Sequence, residues 1–98
     1  MEIAKSVDGT TLTLALKGRL DTTTAPQLEE ALQGAMEGIT ELYMNFEELA
    51  YISSAGLRVL LSAQKIMNRQ GTMVIQNANE SVMEVLDITG FIDILTIE

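Results

Sequence analysis

The sequence predicts a single α/β domain over residues 1–98, with a mixed, mostly parallel sheet of about five strands. Apolar residues repeat with the period of a strand and then with that of a helix, in alternation along the chain. The first two strand-like segments are joined by a hairpin signal, which adds an antiparallel pair. With 98 residues there is room for one core. Strands that alternate with helices imply right-handed crossovers between parallel strands.

The chain opens with two predicted strands, at residues 2–6 and 11–17. Asp8-Gly9 between them is a hairpin signal, because glycine readily takes the backbone conformation that a tight turn needs. In the second strand three leucines alternate with polar residues, as expected when one face is buried. Gly18 is the expected end of this strand.

A helix and a central strand are predicted next. Thr24 and Gln27 fit a capping box at the helix start, Pro26 is acceptable in the first turn, and Gly38 is the expected end. The apolar residues follow the spacing of one helix face: Leu28, Ala31, Leu32, Ala35 and Met36. Residues 41–46 are then predicted to form a strand whose apolar content favours the centre of the sheet.

The second half of the chain contains the longest helical pattern, residues 54–69, which Gly71 ends. Its apolar residues cover more than one stripe and predict a well-buried helix. A strand at residues 72–76, a helix capped by Asn79 and a last strand at residues 91–97 complete the order β-β-α-β-α-β-α-β. The methionines are expected mainly to fill the core.

The composition excludes several classes of function. The chain has neither Cys nor His, which removes thiolate chemistry, the Ser-His-Asp arrangement and the commonest zinc ligand. It contains no phosphate-binding glycine loop and no metal-binding pattern, so we expect no enzyme activity, cofactor or metal. No apolar run approaches the roughly 20 residues that span a bilayer, and no signal peptide is visible. The expected location is the cytoplasm.

The net charge of -8 bears on the choice of partner. Nucleic acid requires a basic surface, and anionic membranes repel an acidic one, so neither is an expected partner. From Leu20 to Leu57 there are many acidic residues and no Lys or Arg. Two interpretations remain open: a solvated acidic surface, or a surface that steers a basic protein partner.

The segment Ser53-Ser54-Ala55-Gly56 is the most unusual one for chemistry. It lies between a strand-like segment and the start of the buried helix. The first N–H groups of a helix have no acceptor within the helix, and the helix dipole favours negative charge there. A serine at this place either caps the helix or accepts a phosphate that would lie over the free N–H groups.

Three stretches of the sequence resemble one known family. They are Gly18-Arg19-Leu20-Asp21, the run from Asn45-Phe46 to Ser53-Ser54-Ala55-Gly56-Leu57, and Leu86-x-x-Thr89-Gly90-Phe91. Together they resemble the STAS domain, and more narrowly the bacterial anti-sigma-factor antagonists, over nearly the whole chain. The resemblance implies that Ser54 is phosphorylated by a partner kinase, with Ser53 as the alternative acceptor. That kinase has a histidine-kinase-like ATPase fold and is itself the anti-sigma factor, so phosphorylation decides which partner is released.

The resemblance also implies a partner-binding surface around Ser54. We expect it to comprise Asp21, Thr22, Ser53, Ser54, Ala55, Gly56 and Arg58. For Asp21 the alternative interpretation is a plain turn acid before the helix. Arg58 is expected either to pair with Glu47 or Glu48 on the surface, or to help hold a phosphate.

Three residues depart from the family pattern. Ser53 stands where an Asp is common, Ala55 at a second hydroxyl position, and Asn45 in place of an acid at the end of the central strand. These departures favour an alternative function, a constitutive interaction subunit of a membrane transport, lipid-trafficking or sensory complex. Typical members also continue into a C-terminal helix. Without it we expect an uncovered apolar strip that a partner could fill, or a second copy in a weak homodimer.

Overall fold

The strands of the computed structural model lie side by side in chain order and form one five-stranded sheet. The structure describes all residues from 1 to 98. The elements are β1 (Glu2–Asp8), β2 (Thr11–Leu20), α1 (Ala25–Leu32), β3 (Glu41–Ile52), α2 (Ser54–Gln70), β4 (Thr72–Gln76), α3 (Glu80–Ile88), a 3-10 turn (Phe91–Asp93) and β5 (Thr96–Ile97). The β1–β2 pair is antiparallel and the other pairs are parallel. The predicted α/β class, mixed sheet and element order are confirmed.

All three helices lie on one face of the sheet, because β2 to β5 follow one another in one direction and the crossovers are right-handed. Burial along β2 agrees: Leu12, Leu14 and Leu16 are buried, and the residues between them are partly exposed. The opposite face of the sheet, which carries Thr13 and Lys17, is called the open face below. β3 is central, as its apolar content predicted.

The β1–β2 hairpin is confirmed, with a loop at Gly9 and Thr10 because Asp8 pairs with Thr11. β2 and β3 both run further than predicted. Gly18 does not end β2 but stays within it, with a φ of 107°. β3 continues past its predicted end to Ile52, and its pairing with β2 shifts register twice. These bulges break the strict alternation on which the sequence prediction relied.

α1 is shorter than predicted and ends at Leu32 instead of reaching Gly38. Gln33 takes an extended backbone, and Gly34 has a φ of 76°, so the helical hydrogen-bond ladder stops. Met36 is nevertheless buried, and Gln70 Nε2 donates to its carbonyl at 2.6 Å. The segment after α1 therefore packs in the core without being helical.

α2 and α3 form where the sequence predicted them. Gly71 ends α2, and the side chain of Asn79 caps α3 by accepting from the Val82 N–H at 2.8 Å. Met44 and Met67 are fully buried, which confirms that methionines fill the core.

The C-terminal segment differs from the prediction of a strand over residues 91–97. Gly90, with a φ of 80°, starts the 3-10 turn, and only Thr96–Ile97 pairs with β4. Ile92 and Ile94 are exposed. These two side chains therefore expose apolar surface in the corner after α3. The open face of the sheet, in contrast, carries mostly small and polar residues.

The structure has neither a membrane-spanning helix nor a cluster of metal-binding side chains. None of the helices combines the length and the apolar character that crossing a membrane takes. Nowhere do three His, Cys, Asp or Glu side chains come together as a metal ion would need.

Candidate functional site

The ends of β2 and β3 bring the two predicted parts of the site together. Leu20 and Ile52, the last residues of the two strands, are register partners. The Ser53 N–H continues the ladder and donates to the Leu20 carbonyl at 2.9 Å. Asp21 and Ser53 therefore leave the sheet side by side, which places the turn before α1 next to the serine loop before α2.

The two serines take different positions at the start of α2. Ser53 is the N-cap, with an extended backbone, and its Oγ accepts from the Gly56 N–H at a long 3.5 Å. Ser54 is the first helical residue; it is exposed and its hydroxyl makes no hydrogen bond within the chain. The capping role that the sequence left open thus belongs to Ser53, and the Ser54 hydroxyl is accessible.

Gly56 holds the serine loop against β2. It is buried, and a Cβ atom at this position would lie 2.6 Å from Leu20 Cγ and 3.1 Å from Ile52 Cγ1. Helix propensity alone would favour alanine here by about 1 kcal/mol. Glycine is needed because of this close packing. Gly56 was expected within the partner-binding surface, but a buried residue can only support that surface from below.

Asp21 organises the turn between β2 and α1. Its Oδ1 accepts from the Thr23 hydroxyl at 2.7 Å, from the Thr23 N–H at 3.0 Å and from the Thr24 N–H at 3.2 Å. Thr24 Oγ1 accepts from the Asp21 N–H and donates to the Arg19 carbonyl. The predicted capping box of Thr24 with Gln27 is therefore wrong, because the Thr24 side chain turns back into this turn and caps no helical N–H.

The charge of Asp21 is favoured by the same hydrogen bonds. The hydroxyl of Thr23 is the main cause that holds the pKa of Asp21 below its ordinary value of 3.8. Partial burial acts in the opposite direction, and the N–H groups of Thr23 and Thr24 add to the lowering. The Asp21 side chain is therefore a charged carboxylate that these hydrogen bonds hold in one orientation. This fits both a partner contact and a structural acid of the turn.

A groove between α1 and α2 begins beside the serine loop. Its volume is about 320 Å³, and Thr22, Ala55 and Arg58 line it together with residues of α1. Three residues of the expected partner-binding surface therefore share one concave surface. Arg58 lies four residues after Ser54 in α2, the spacing of neighbours on a helix surface.

The expected ion pair of Arg58 with Glu47 or Glu48 is wrong. Glu48 instead lies 4.0 Å from Lys17 Nζ, whose other partner is Glu2. Lys17 belongs to the open face, on the other side of the sheet from α2. The glutamates of β3 are therefore out of reach of Arg58.

Asn45 lies away from the serine loop, contrary to the prediction that placed it at the end of the central strand. β3 continues for seven more residues to Ile52, on the order of 20 Å at the usual rise of a strand. Asn45 Oδ1 accepts from the Asn77 amide at 2.9 Å and from the Glu47 N–H at 3.0 Å. This departure from the family pattern therefore lies at the junction of β3 with β4 and not beside Ser54.

Two residues beside the site were missed by sequence reasoning. The guanidinium carbon of Arg19 lies 4.4 Å from the centre of the Tyr51 ring. Arg19 Nε also lies 3.8 Å from Asp21 Oδ2. Both residues stood in the stretches that carried the family resemblance, but both strands were expected to end before them. Their pairing depends on register, for which the local sequence gives no signal.

The family model and the curated relatives that match this chain agree with each other. The family model described as STAS domain matches residues 2–98. BtrV of Bordetella bronchiseptica, a candidate anti-sigma factor antagonist, is 37% identical over 93 residues, which are 93% of this chain and 79% of that protein. The anti-sigma-B factor antagonist of Bacillus subtilis is 31% identical over 83 residues, which are 84% and 76% of the two chains.

Solved structures share the fold. The anti-sigma factor antagonist SpoIIAA in its unphosphorylated form superposes with a TM-score of 0.85 at 21% identity, over 99% of this chain and 88% of that one. The Bacillus SpoIIAA in its phosphorylated form gives 0.76 at 20% identity, over 99% and 91%. The likeness confirms the single five-stranded α/β domain that the sequence predicted.

Proposed function

The chain belongs to the STAS domain family, and we propose that it is an anti-sigma-factor antagonist. In this proposal it binds an anti-sigma factor through the surface around Ser54 and Asp21, and so frees a sigma factor in the cytoplasm. Relatives that are 31% and 37% identical over most of this chain, one of them a candidate, are described as antagonists of this kind.

The observation that carries the proposal is the exposure of Ser54 at the first position of α2. The inner face of the helix behind it is buried in the core, and the loop before it is joined to β2 by the hydrogen bond from Ser53 to Leu20. The hydroxyl is therefore presented on a rigid support. Phosphorylation of this one hydroxyl can therefore change the protein surface without changing the fold.

The partner in this proposal is a serine kinase of the histidine-kinase-like ATPase class, which is also the anti-sigma factor. It transfers the γ-phosphoryl group of ATP to Ser54 Oγ, which leaves ADP, and the hydroxyl proton passes to a base of the kinase. The product carries about 1.5 to 2 more negative charges at pH 7. On a chain with a net charge of -8 this new charge repels acidic groups of the partner and weakens binding.

Ser54 is the expected acceptor of the phosphate. Incubation with the cognate kinase and ATP should place one phosphate on Ser54, as mapped by mass spectrometry of peptides. Ser54→Ala should prevent phosphorylation and keep partner binding. Ser53→Ala is the matched control and should still be phosphorylated. A phosphate found on Ser53 alone would contradict the assignment.

Ser54→Asp separates a charge switch from misfolding. A carboxylate near a helix N-terminus usually stabilises by about 0.3 to 1 kcal/mol, so the variant should melt at or slightly above the wild-type temperature. It should nevertheless bind the kinase at least tenfold more weakly by titration calorimetry. Undiminished binding by the folded variant would favour the constitutive interaction subunit instead.

A further inference from the structure

Arg19 and Tyr51 form a contact on the open-face side of the serine loop, outside the surface that the sequence predicted. The guanidinium carbon lies 4.4 Å from the ring centre, within the usual distance of a cation–π interaction. The Tyr51 residue is 39% exposed, and the Arg19 side chain is 62% exposed. Both side chains are thus accessible to a partner.

The strands and the turn hold the Arg19 guanidinium in place from two sides. Arg19 and Tyr51 are register partners in the parallel β2–β3 pair, so their side chains share one face. Arg19 Nε faces Asp21 Oδ2, and the other carboxylate oxygen is fixed by Thr23 and Thr24. A side chain that is already ordered loses less conformational entropy when a partner binds.

The outer edge of the guanidinium is free. The recorded contact with Asp21 is made by Nε, and the two terminal Nη atoms donate no hydrogen bond within the chain. A guanidinium edge with parallel N–H donors matches a carboxylate in geometry and charge. Arg and Tyr are also among the residue types that contribute most often to binding energy in protein interfaces.

Position and charge connect this contact to the proposed site. Tyr51 and Ser54 are three positions apart in the sequence, so their Cα atoms are at most about 11 Å apart. The chain is strongly acidic, and a carboxylate of a partner is repelled over most of its surface. Arg19 is one of the few places near Ser54 where such a group is attracted, which fixes how the partner is oriented.

We propose that Arg19 and Tyr51 extend the partner-binding surface onto the open-face side, and that the free edge of Arg19 binds a carboxylate side chain of the anti-sigma factor. This inference rests on the proposed function, since that function supplies the partner. In this inference Arg19 determines which partner binds and how that partner is oriented. Phosphorylation of Ser54 still controls whether the partner is bound.

Binding of the unphosphorylated chain to the cognate kinase, measured by titration calorimetry, tests this inference. Arg19→Ala should weaken binding at least tenfold. Arg19→Lys should not restore it, because lysine lacks the planar donor pair. Tyr51→Ala should also weaken binding, whereas Tyr51→Phe keeps the ring and should bind within about threefold of wild type.

Lys17→Ala is the matched control. Lys17 lies two residues before Arg19 on the same strand and the same face, and its side chain is also 62% exposed. Lys17→Ala changes the net charge by the same amount as Arg19→Ala. It should alter binding of the kinase by no more than about threefold. Melting curves of all variants verify that each is folded.

The outcomes distinguish this inference from the proposed function. If the wild type binds and Arg19→Ala binds as Lys17→Ala does, the inference is overturned and the proposed function stands. If Arg19→Lys binds like the wild type, the paired recognition of a carboxylate is overturned. If the wild type does not bind the kinase, both proposals fail.

Discussion

Asp21 uses its two carboxylate oxygens for different purposes. Oδ1 takes the hydrogen bonds of the turn, and Oδ2 faces Arg19. The residue therefore shapes the turn and positions a surface side chain at the same time. Its two interpretations from sequence, a turn acid and a partner contact, are compatible with each other.

Thr23→Val tests the electrostatic part of this role. Valine has the shape of threonine but no hydroxyl, so the pKa of Asp21 should rise towards 3.8, as followed by NMR titration of the carboxyl group. Because the pKa of Asp21 is lowered in the folded state, its stabilising effect is complete above 3.8. It is lost as the pH falls through the folded-state value.

Thr22→Val is the control for that experiment, since Thr22 lies beside Asp21 but makes no hydrogen bond to its carboxylate. It should leave the titration of Asp21 unchanged. Unfolding of the Thr23→Val variant should depend less on pH in the acid range below 3.8 than that of the wild type. An unchanged pKa in Thr23→Val would show that the backbone N–H groups and the Thr24 hydroxyl stabilise the charge without the Thr23 hydroxyl.

Among the helices, α2 and α3 begin with caps of unequal quality. Asn79 accepts from the Val82 N–H at 2.8 Å, and its amide donates to the Leu49 carbonyl at 2.8 Å. Ser53 accepts from the Gly56 N–H at 3.5 Å only. The start of α2 therefore depends on the close packing of Gly56 against β2 more than on its cap.

This difference predicts unequal costs when each cap is removed. Asn79→Ala should lower the free energy of unfolding by about 1 to 2 kcal/mol, because it loses a short cap and a link to β3. Ser53→Ala should cost about 0.5 kcal/mol or less. Urea unfolding of both variants gives the comparison, and equal costs would mean that the Ser53 cap is as strong as that of Asn79.

For the molecule as a whole, charge repulsion is the main electrostatic feature. The chain has 14 acidic and 6 basic residues. Its three ion pairs involve only Lys17 and Arg19 as cations, and the side chains of both are 62% exposed. Exposed pairs contribute little, so the surplus of acidic side chains should dominate.

The melting temperature should therefore rise with ionic strength. Added NaCl screens repulsion between exposed charges, with a Debye length of about 10 Å at 0.1 M. We expect a rise of several degrees between 20 mM and 300 mM NaCl, measured by calorimetry. A fall over the same range would mean that the ion pairs of Lys17 and Arg19 outweigh the repulsion.

The sequence by itself determined the order of the elements, the α/β class and the position of the Ser54 loop at the start of α2. These features depend on signals that act over a few residues. They are the alternation in β2, the apolar spacing in α2, and the glycines that turn the chain. The fold retains these local preferences because each element can bury its apolar face in the same core.

Only the tertiary structure decided where β2 and β3 end and which side chains meet there. Bulges in β3 and the retention of Gly18 within β2 are set by pairing between strands, so local periodicity does not encode them. The same register brings Arg19 over Tyr51 and turns Glu48 to the open face, away from Arg58. Contacts between residues far apart in sequence depend on this register, because a shift of one residue would exchange the faces of the strand.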